Sequence, residues 1–201
     1  GTLEAPNADI FPYQRRAESY LTVDGKHYDW GKCAGHEYWM AEAVKRGSNY
    51  FILFSNTPPV QYTLNGKGYS ADGMKANIKE DCYDDFALYL ATVAKHYMDK
   101  GWNVPFISPI NEPQHSWDTP KQEGSTWRNS EIKRMVVALD EELLKDSRFD
   151  NLRIQLGEVA RVIYLYDKRD TYVERYGEVE APHYVLRNFF DEKSQFYVGN
   201  L

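Results

Sequence analysis

Val104-Pro105-Phe106-Ile107-Ser108-Pro109-Ile110-Asn111-Glu112-Pro113-Gln114 is an apolar run that stops abruptly on an amide, a carboxyl and a proline. The run reads as a buried strand. Pro113 lacks a backbone donor and biases Glu112 toward extended rather than helical geometry, so the strand ends there with Asn111 and Glu112 at its C-terminal tip. In proteins built on parallel α/β strands, chemistry collects at those tips. Asn111 and Glu112 are therefore the first candidates for function; the alternative is that Glu112 caps a helix or pairs with an arginine.

The flanking segments give the strand its setting. Upstream, Phe86, Leu90, Val93, Ala94 and Tyr97 recur on one face at helical spacing, Asp81 to Asp85 place negative charge at the start, and Gly101 closes the helix. Before that helix, residues 34–46 suit another one ended by Gly47. Tyr50-Phe51-Ile52-Leu53-Phe54 then forms a short apolar strand stopped by Ser55-Asn56-Thr57-Pro58-Pro59. Downstream, a polar loop runs through Trp127, and Ser130 is the expected N-cap of a helix with Ile132, Met135, Val136, Leu139 and Leu143 on one face. Leu152-Arg153-Ile154-Gln155-Leu156-Gly157-Glu158 is a further strand ending on a carboxyl. Strand, loop and helix thus alternate as in βα units of a parallel sheet. Residues 1–33 read as a long loop region, 34–160 as βα units, and 161–201 as a remainder with a helix near 182–192.

Composition narrows the partners. The 201 residues carry a formal charge of −6 with scattered basic residues, which argues against nucleic acid, whose phosphates demand clustered Lys and Arg. No apolar run is long enough for a membrane span. Sixteen Tyr and five Trp are an excess of flat amphipathic rings, suited to sugar faces as well as to cores.

Other motifs fail on inspection. His36-Glu37-Tyr38-Trp39-Met40 opens like a zinc-protease helix but carries Met40 where the second histidine should stand. His96 and His115 read as structural or polar loop residues. Asn65-Gly66-Lys67-Gly68 lacks the spacing of a phosphate loop. No metal or organic cofactor is expected. Cys33 and Cys82 have no CxxC spacing, which leaves free buried thiols or, in an exported protein, a disulfide.

Several segments, taken in order, carry a resemblance. Arg15-Arg16-Ala17-Glu18, Asn49-Tyr50-Phe51, Phe54-Ser55-Asn56-Thr57-Pro58-Pro59, Tyr83-Asp84-Asp85-Phe86, Ser108 to Gln114 and Gln122-Glu123-Gly124-Ser125 resemble glycoside hydrolase family 30, nearest to its endo-β-1,6-galactanase-like members. The resemblance implies a (β/α)8 TIM-barrel glycosidase, of which this chain is an incomplete segment with about half of the βα units. It also implies a retaining mechanism with Glu112 as general acid/base and Asn111 hydrogen-bonded to the sugar 2-hydroxyl. Ser55, Asn56, Gln114, Trp117, Glu123, Trp127 and Glu158 are the implied substrate-binding residues, with Trp117 and Trp127 stacking on pyranose rings. One departure stands out: such relatives follow the double proline with Trp-Met-Thr, whereas this chain has Val60-Gln61-Tyr62-Thr63.

A retaining enzyme needs a second carboxylate about 5 Å from the first. The resemblance places that nucleophile on the seventh strand, beyond Leu201, so this segment alone is expected to be inactive. The expected partner is a polysaccharide or oligosaccharide, and the expected location secreted, periplasmic or cell-surface. The alternative is a non-catalytic carbohydrate-binding or assembly component, and exposed sheet edges raise self-association as a further expectation.

Overall fold

A computed structural model describes residues 18–119 and 122–199. Arg15, Arg16 and Ala17 of the first matched segment, and most of the expected N-terminal loop, lie outside the described residues. Three short strands form one parallel sheet in the order β1–β2–β3: β1 (Ile52–Phe54), β2 (Phe106–Ser108) and β3 (Arg153–Ile154). Leu53 pairs with Ile107 and Ile107 with Ile154, so these three apolar side chains share one face by the two-residue period of a strand. Backbone bonds from Ser55 N–H to Ser108 O (3.0 Å) and from Gln155 N–H to Ile107 O (2.8 Å) carry the pairing to the C-terminal tips.

Helices cover that face. α1 (Ala34–Lys45) precedes the sheet, while α2 (Tyr83–Asp99) and α3 (Asn129–Leu143) follow β1 and β2 and pack against each other. Phe86, Ala87 and Ala94 of α2 meet Met135, Val136 and Leu139 of α3 in one fully buried cluster with Ile107. Burying each large side chain of this kind contributes about 1.5–3 kcal/mol. The other face of the sheet is open: Ile52, Phe54 and Phe106 are 44%, 56% and 39% exposed. A parallel sheet is ordinarily covered on both faces, so these three rings and chains mark the side on which the described residues supply no layer.

The ends differ from expectation in instructive ways. Arg128, not Ser130, is the N-cap of α3; the Glu131 carboxylate accepts the Arg128 N–H at 2.8 Å and the Ala76 N–H at 3.0 Å. Ser130 instead binds Glu180 through both its N–H and its hydroxyl. Beyond β3 the chain forms α4 (Asp170–Glu180), for which the sequence reading has no counterpart, and the helix expected near 182–192 is the shorter α5 (Val185–Phe190). No residue of α4 is buried, so its sequence carries no apolar stripe to read. Cys33 and Cys82 are both free and buried.

Candidate active site

The tips of the three strands lie along one rim. Asn56 follows β1, Asn111 and Glu112 follow β2, and Glu158 follows β3. The Asn111 amide donates to the Asn56 side-chain oxygen at 3.4 Å, and the Glu112 N–H donates to the Glu158 carbonyl at 2.7 Å. Ser55, half-buried, donates its hydroxyl to the Thr57 carbonyl at 3.0 Å. The Glu158 carboxylate accepts the Gln155 amide at 2.5 Å. Among the described residues the Glu112 carboxylate has no hydrogen-bond or ion-pair partner, so a half-buried acid stands on the rim with both oxygens uncommitted.

The backbone of Glu112 is not extended, as its position before proline predicts, but left-handed, with φ 40°. For an L-residue this conformation costs about 1–2 kcal/mol. Three bonds hold it there: the donor to Glu158, and a carbonyl whose two lone pairs accept the His115 N–H (3.0 Å) and the Trp117 indole N–H (3.1 Å). A strained residue at a strand tip, held by its surroundings, is where functional groups are commonly aimed.

The remaining sequence candidates fall inside the protein. Gln114 is fully buried; its amide N–H donates to the Pro182 carbonyl at 2.7 Å and its oxygen accepts the Ala160 N–H at 3.4 Å, so it ties the β2 loop to the C-terminal segments and presents no exposed group. Trp127 is 1% exposed and meets Tyr83 edge-on, which makes it a core residue and not a stacking platform. Trp117 is 6% exposed, its ring laid against Gly124, and it too offers no open face. Glu123 is likewise enclosed, and neither of its carboxylate oxygens meets a hydrogen-bond donor. Asn56, Asn111, Glu112 and Glu158 are thus brought together on the rim, with Ser55 beside them, whereas Gln114, Trp117, Glu123 and Trp127 support the loops behind it.

Those loops are laced to each other. Ser70 N–H donates to the Trp117 carbonyl (2.7 Å), Gly124 N–H to the Gly68 carbonyl (2.9 Å), and Asn77 N–H to the Ser125 hydroxyl (2.9 Å). Residues 63–80 after β1 therefore hold residues 109–128 after β2. Val60 and Tyr62, which follow the double proline, are buried.

The zinc-like motif has a different use. Glu37 accepts from the Tyr20 hydroxyl (2.9 Å) and binds His96 (2.8 Å) and Lys100 (2.8 Å), while His96 stacks on Trp30 at 3.9 Å. Burial pushes the Glu37 carboxyl up, but the bonds from Lys100, His96 and Tyr20 outweigh it and hold the group below its ordinary range. This network pins α1 to α2. Among the described residues no group of three or more His, Cys, Asp or Glu side chains is arranged to hold a metal.

A parallel βα sheet presenting an amide and a carboxyl at adjacent strand tips is an α/β arrangement, the kind in which barrel enzymes collect their chemistry at the C-terminal ends of the strands. The chain belongs to O-glycosyl hydrolase family 30, whose sequence profile matches residues 1–201. It is 31% identical over 120 residues to an endo-β-1,6-galactanase of Hypocrea rufa, covering 58% of this chain and 25% of that one. It also superposes on a conserved exported protein from Bacteroides fragilis with TM-score 0.82 and 32% identity, over 93% of this chain and 37% of that one. A family 30 subfamily 8 xylanase from Clostridium acetobutylicum shares the fold at TM-score 0.54 and 20% identity, over 72% of this chain and 34% of that one. The fold is that of a TIM-barrel-like glycosidase, of which the described residues form a three-stranded segment. The chain spans a quarter of the length of the curated galactanase it matches.

Proposed function

We propose that this chain supplies the acid/base half of a retaining glycosidase acting on β-1,6-linked galactan, with Glu112 protonating the departing glycosidic oxygen and then deprotonating the water that releases the sugar. The observation that carries this reading is the uncommitted Glu112 carboxylate at the C-terminal tip of β2, beside Asn111. In this reading Asn111, hydrogen-bonded to Asn56, meets the sugar 2-hydroxyl, a bond that strengthens as the oxocarbenium-like transition state forms. Ser55, Asn56 and Glu158 complete the rim that faces the substrate.

Retention requires a second carboxylate, and in this reading it comes from outside the described residues. Glu158 follows β3, the strand next to β2 and not one opposing it, so this reading assigns it to the rim and not to nucleophilic attack. The galactan assignment rests on the name of the Hypocrea rufa relative, and the carbohydrate substrate class on the family. An extracellular or periplasmic location follows from a polymeric substrate and is supported by the exported Bacteroides fragilis neighbour; among the described residues no helix is long and apolar enough to cross a membrane. A purely carbohydrate-binding role is disfavoured by the burial of Trp117 and Trp127, which leaves no aromatic platform in these loops.

The test is release of new reducing ends from β-1,6-galactan by the full-length protein and by Glu112→Gln. A loss of roughly 10²–10⁴-fold in the variant is expected for removal of a general acid/base. Undiminished hydrolysis by Glu112→Gln would refute the assignment.

A further inference from the structure

We propose that Trp117 and Gly124 are positioning residues for Glu112: the Trp117 indole N–H fixes the Glu112 carbonyl, and the indole can sit there because residue 124 has no side chain. The proposal rests on the acid/base reading of Glu112. It begins from geometry. A Cβ added to Gly124 would lie 2.1 Å from Trp117 Cδ2 and 2.4 Å from Cε3, far inside contact distance, and these are ring atoms that can only move with the whole indole. The φ of Gly124 is not in the left-handed region, so glycine is needed at 124 for close approach and not for backbone freedom.

Seat and ring are anchored to the same stretch. Gly124 donates its N–H to Gly68, and the Trp117 carbonyl accepts from Ser70, two residues on. These main-chain bonds fix the backbone that carries the ring and the backbone that seats it. Its N–H ends 3.1 Å from the Glu112 carbonyl, and Trp117 is itself left-handed at φ 49° to reach it. Two strained residues in one loop, each stabilised by the other's position, are over-determined in the way that persists at sites needing a fixed geometry.

Of the three bonds on Glu112, the one from His115 comes with the turn itself, and the one to Glu158 fixes the N–H. The Trp117 bond is the non-turn bond that fixes the carbonyl side of the residue. Releasing it lets the Glu112 peptide relax toward negative φ, which swings the carboxyl off its line. A general acid must stand within about 2.6–3.2 Å of the oxygen it protonates, and a misplacement near 1 Å costs about a hundredfold.

The test uses the full-length protein with Trp117→Phe, which keeps a ring on Gly124 but removes the N–H, and Gly124→Ala, which displaces the ring. Both are compared with Glu112→Gln. The readout is kcat/KM, which reports departure of the leaving group, on a β-1,6-galacto-oligosaccharide and on a dinitrophenyl galactoside whose leaving group needs no proton. Expected is a loss of roughly ten- to a hundredfold on the oligosaccharide and little on the activated substrate, the same pattern as Glu112→Gln. Equal losses on both substrates would assign the pair to ordinary loop packing and overturn the proposal. Independently of any substrate, the Trp117 indole proton should be protected from solvent exchange in nitrogen-15 spectra and lose that protection in Gly124→Ala. An unprotected indole in the unmodified protein would overturn the proposal even if Glu112 is catalytic; protection with an inert Glu112→Gln phenotype would instead remove the acid/base reading and leave the clamp in place.

Discussion

The backbone N–H of Glu112 donates to the carbonyl of Glu158 across 2.7 Å, joining the segment that follows β2 to the segment that follows β3, beyond the last paired residues Ile107 and Ile154. The link is made by main chain on both sides, so the two acids are coupled through conformation. The side chain of Glu158 can change without breaking it, whereas its backbone cannot move without disturbing Glu112.

Gly157 tests that coupling. It adopts φ 105°, and an added Cβ would lie 3.3 Å from Leu165 Cδ2. Gly157→Ala is expected to cost about 1–2 kcal/mol of stability, from strain at a position that L-residues avoid. Glu158→Gln keeps an acceptor for Gln155 and the main-chain bond, and should stay within about 0.5 kcal/mol. Urea midpoints of the two variants check the contrast.

The α2–α3 contact is the main source of core stability. Met135→Ala empties a fully buried site between the helices and is expected to destabilise by about 2–5 kcal/mol. The urea midpoint should fall with an unchanged slope. A shift below 1 kcal/mol would mean that the helices do not close on each other as described.

His183 gives the protein an acid limit. Its ring is fully buried with neither nitrogen hydrogen-bonded, and burial holds its pKa below the ordinary histidine value; Arg187 and Lys168 push the same way, and Glu178 and Asp167 oppose them. The unfolded chain takes up this proton near pH 6.5 and the folded chain only at lower pH, so between the two the unfolded state binds more protons. The neutral ring's contribution is therefore fully present above about pH 6.5 and is lost as pH falls through the folded value. The wild type should lose more stability than His183→Gln between about pH 7.5 and pH 5, measured by urea midpoints.

Both cysteines should be silent in the native state. Burial, with the charge of Glu18 in support, pushes the Cys33 thiol up to about 12, and burial with Asp81 and Asp85 nearby raises that of Cys82. Because the thiolate is the reactive form, an aromatic disulfide reagent near pH 8 should titrate neither thiol before unfolding and both after it. Rapid native labelling of Cys33 would contradict its placement against Glu18.

Much of this architecture was legible in the sequence because it depends on periodicity. The residues expected on the apolar faces of α2 and α3 are buried there apart from a partly buried Val93, although α2 also buries Tyr83, Ala87, Tyr89 and Ala91; β2 stops at Ser108, before Pro109, and so falls short of the expected end at Asn111 and Glu112. What escaped depends on partners distant in the chain. Nothing around Trp127 announces Tyr83, and nothing around Gln114 announces Pro182, so an aromatic and an amide in polar loops read as surface groups when they are buried. The left-handed turn at Glu112 runs against the local rule for a residue before proline; local bonds from His115 and Trp117 to its carbonyl and one distant bond from its N–H to Glu158 hold it. α4 stayed hidden because it buries no residue, and apolar spacing is the signal by which helices are found.

The most direct test of Glu112 as acid/base is chemical rescue. In the full-length protein, Glu112→Ala removes the acid and leaves space beside the anomeric carbon, and kcat is measured on a dinitrophenyl galactoside with and without azide. With the leaving group activated, breakdown of the covalent intermediate limits turnover, and azide should accelerate it by an order of magnitude or more to give a β-galactosyl azide of retained configuration. A variant that hydrolyses galactan at the unmodified rate, or one that azide neither accelerates nor converts to the glycosyl azide, would contradict the account.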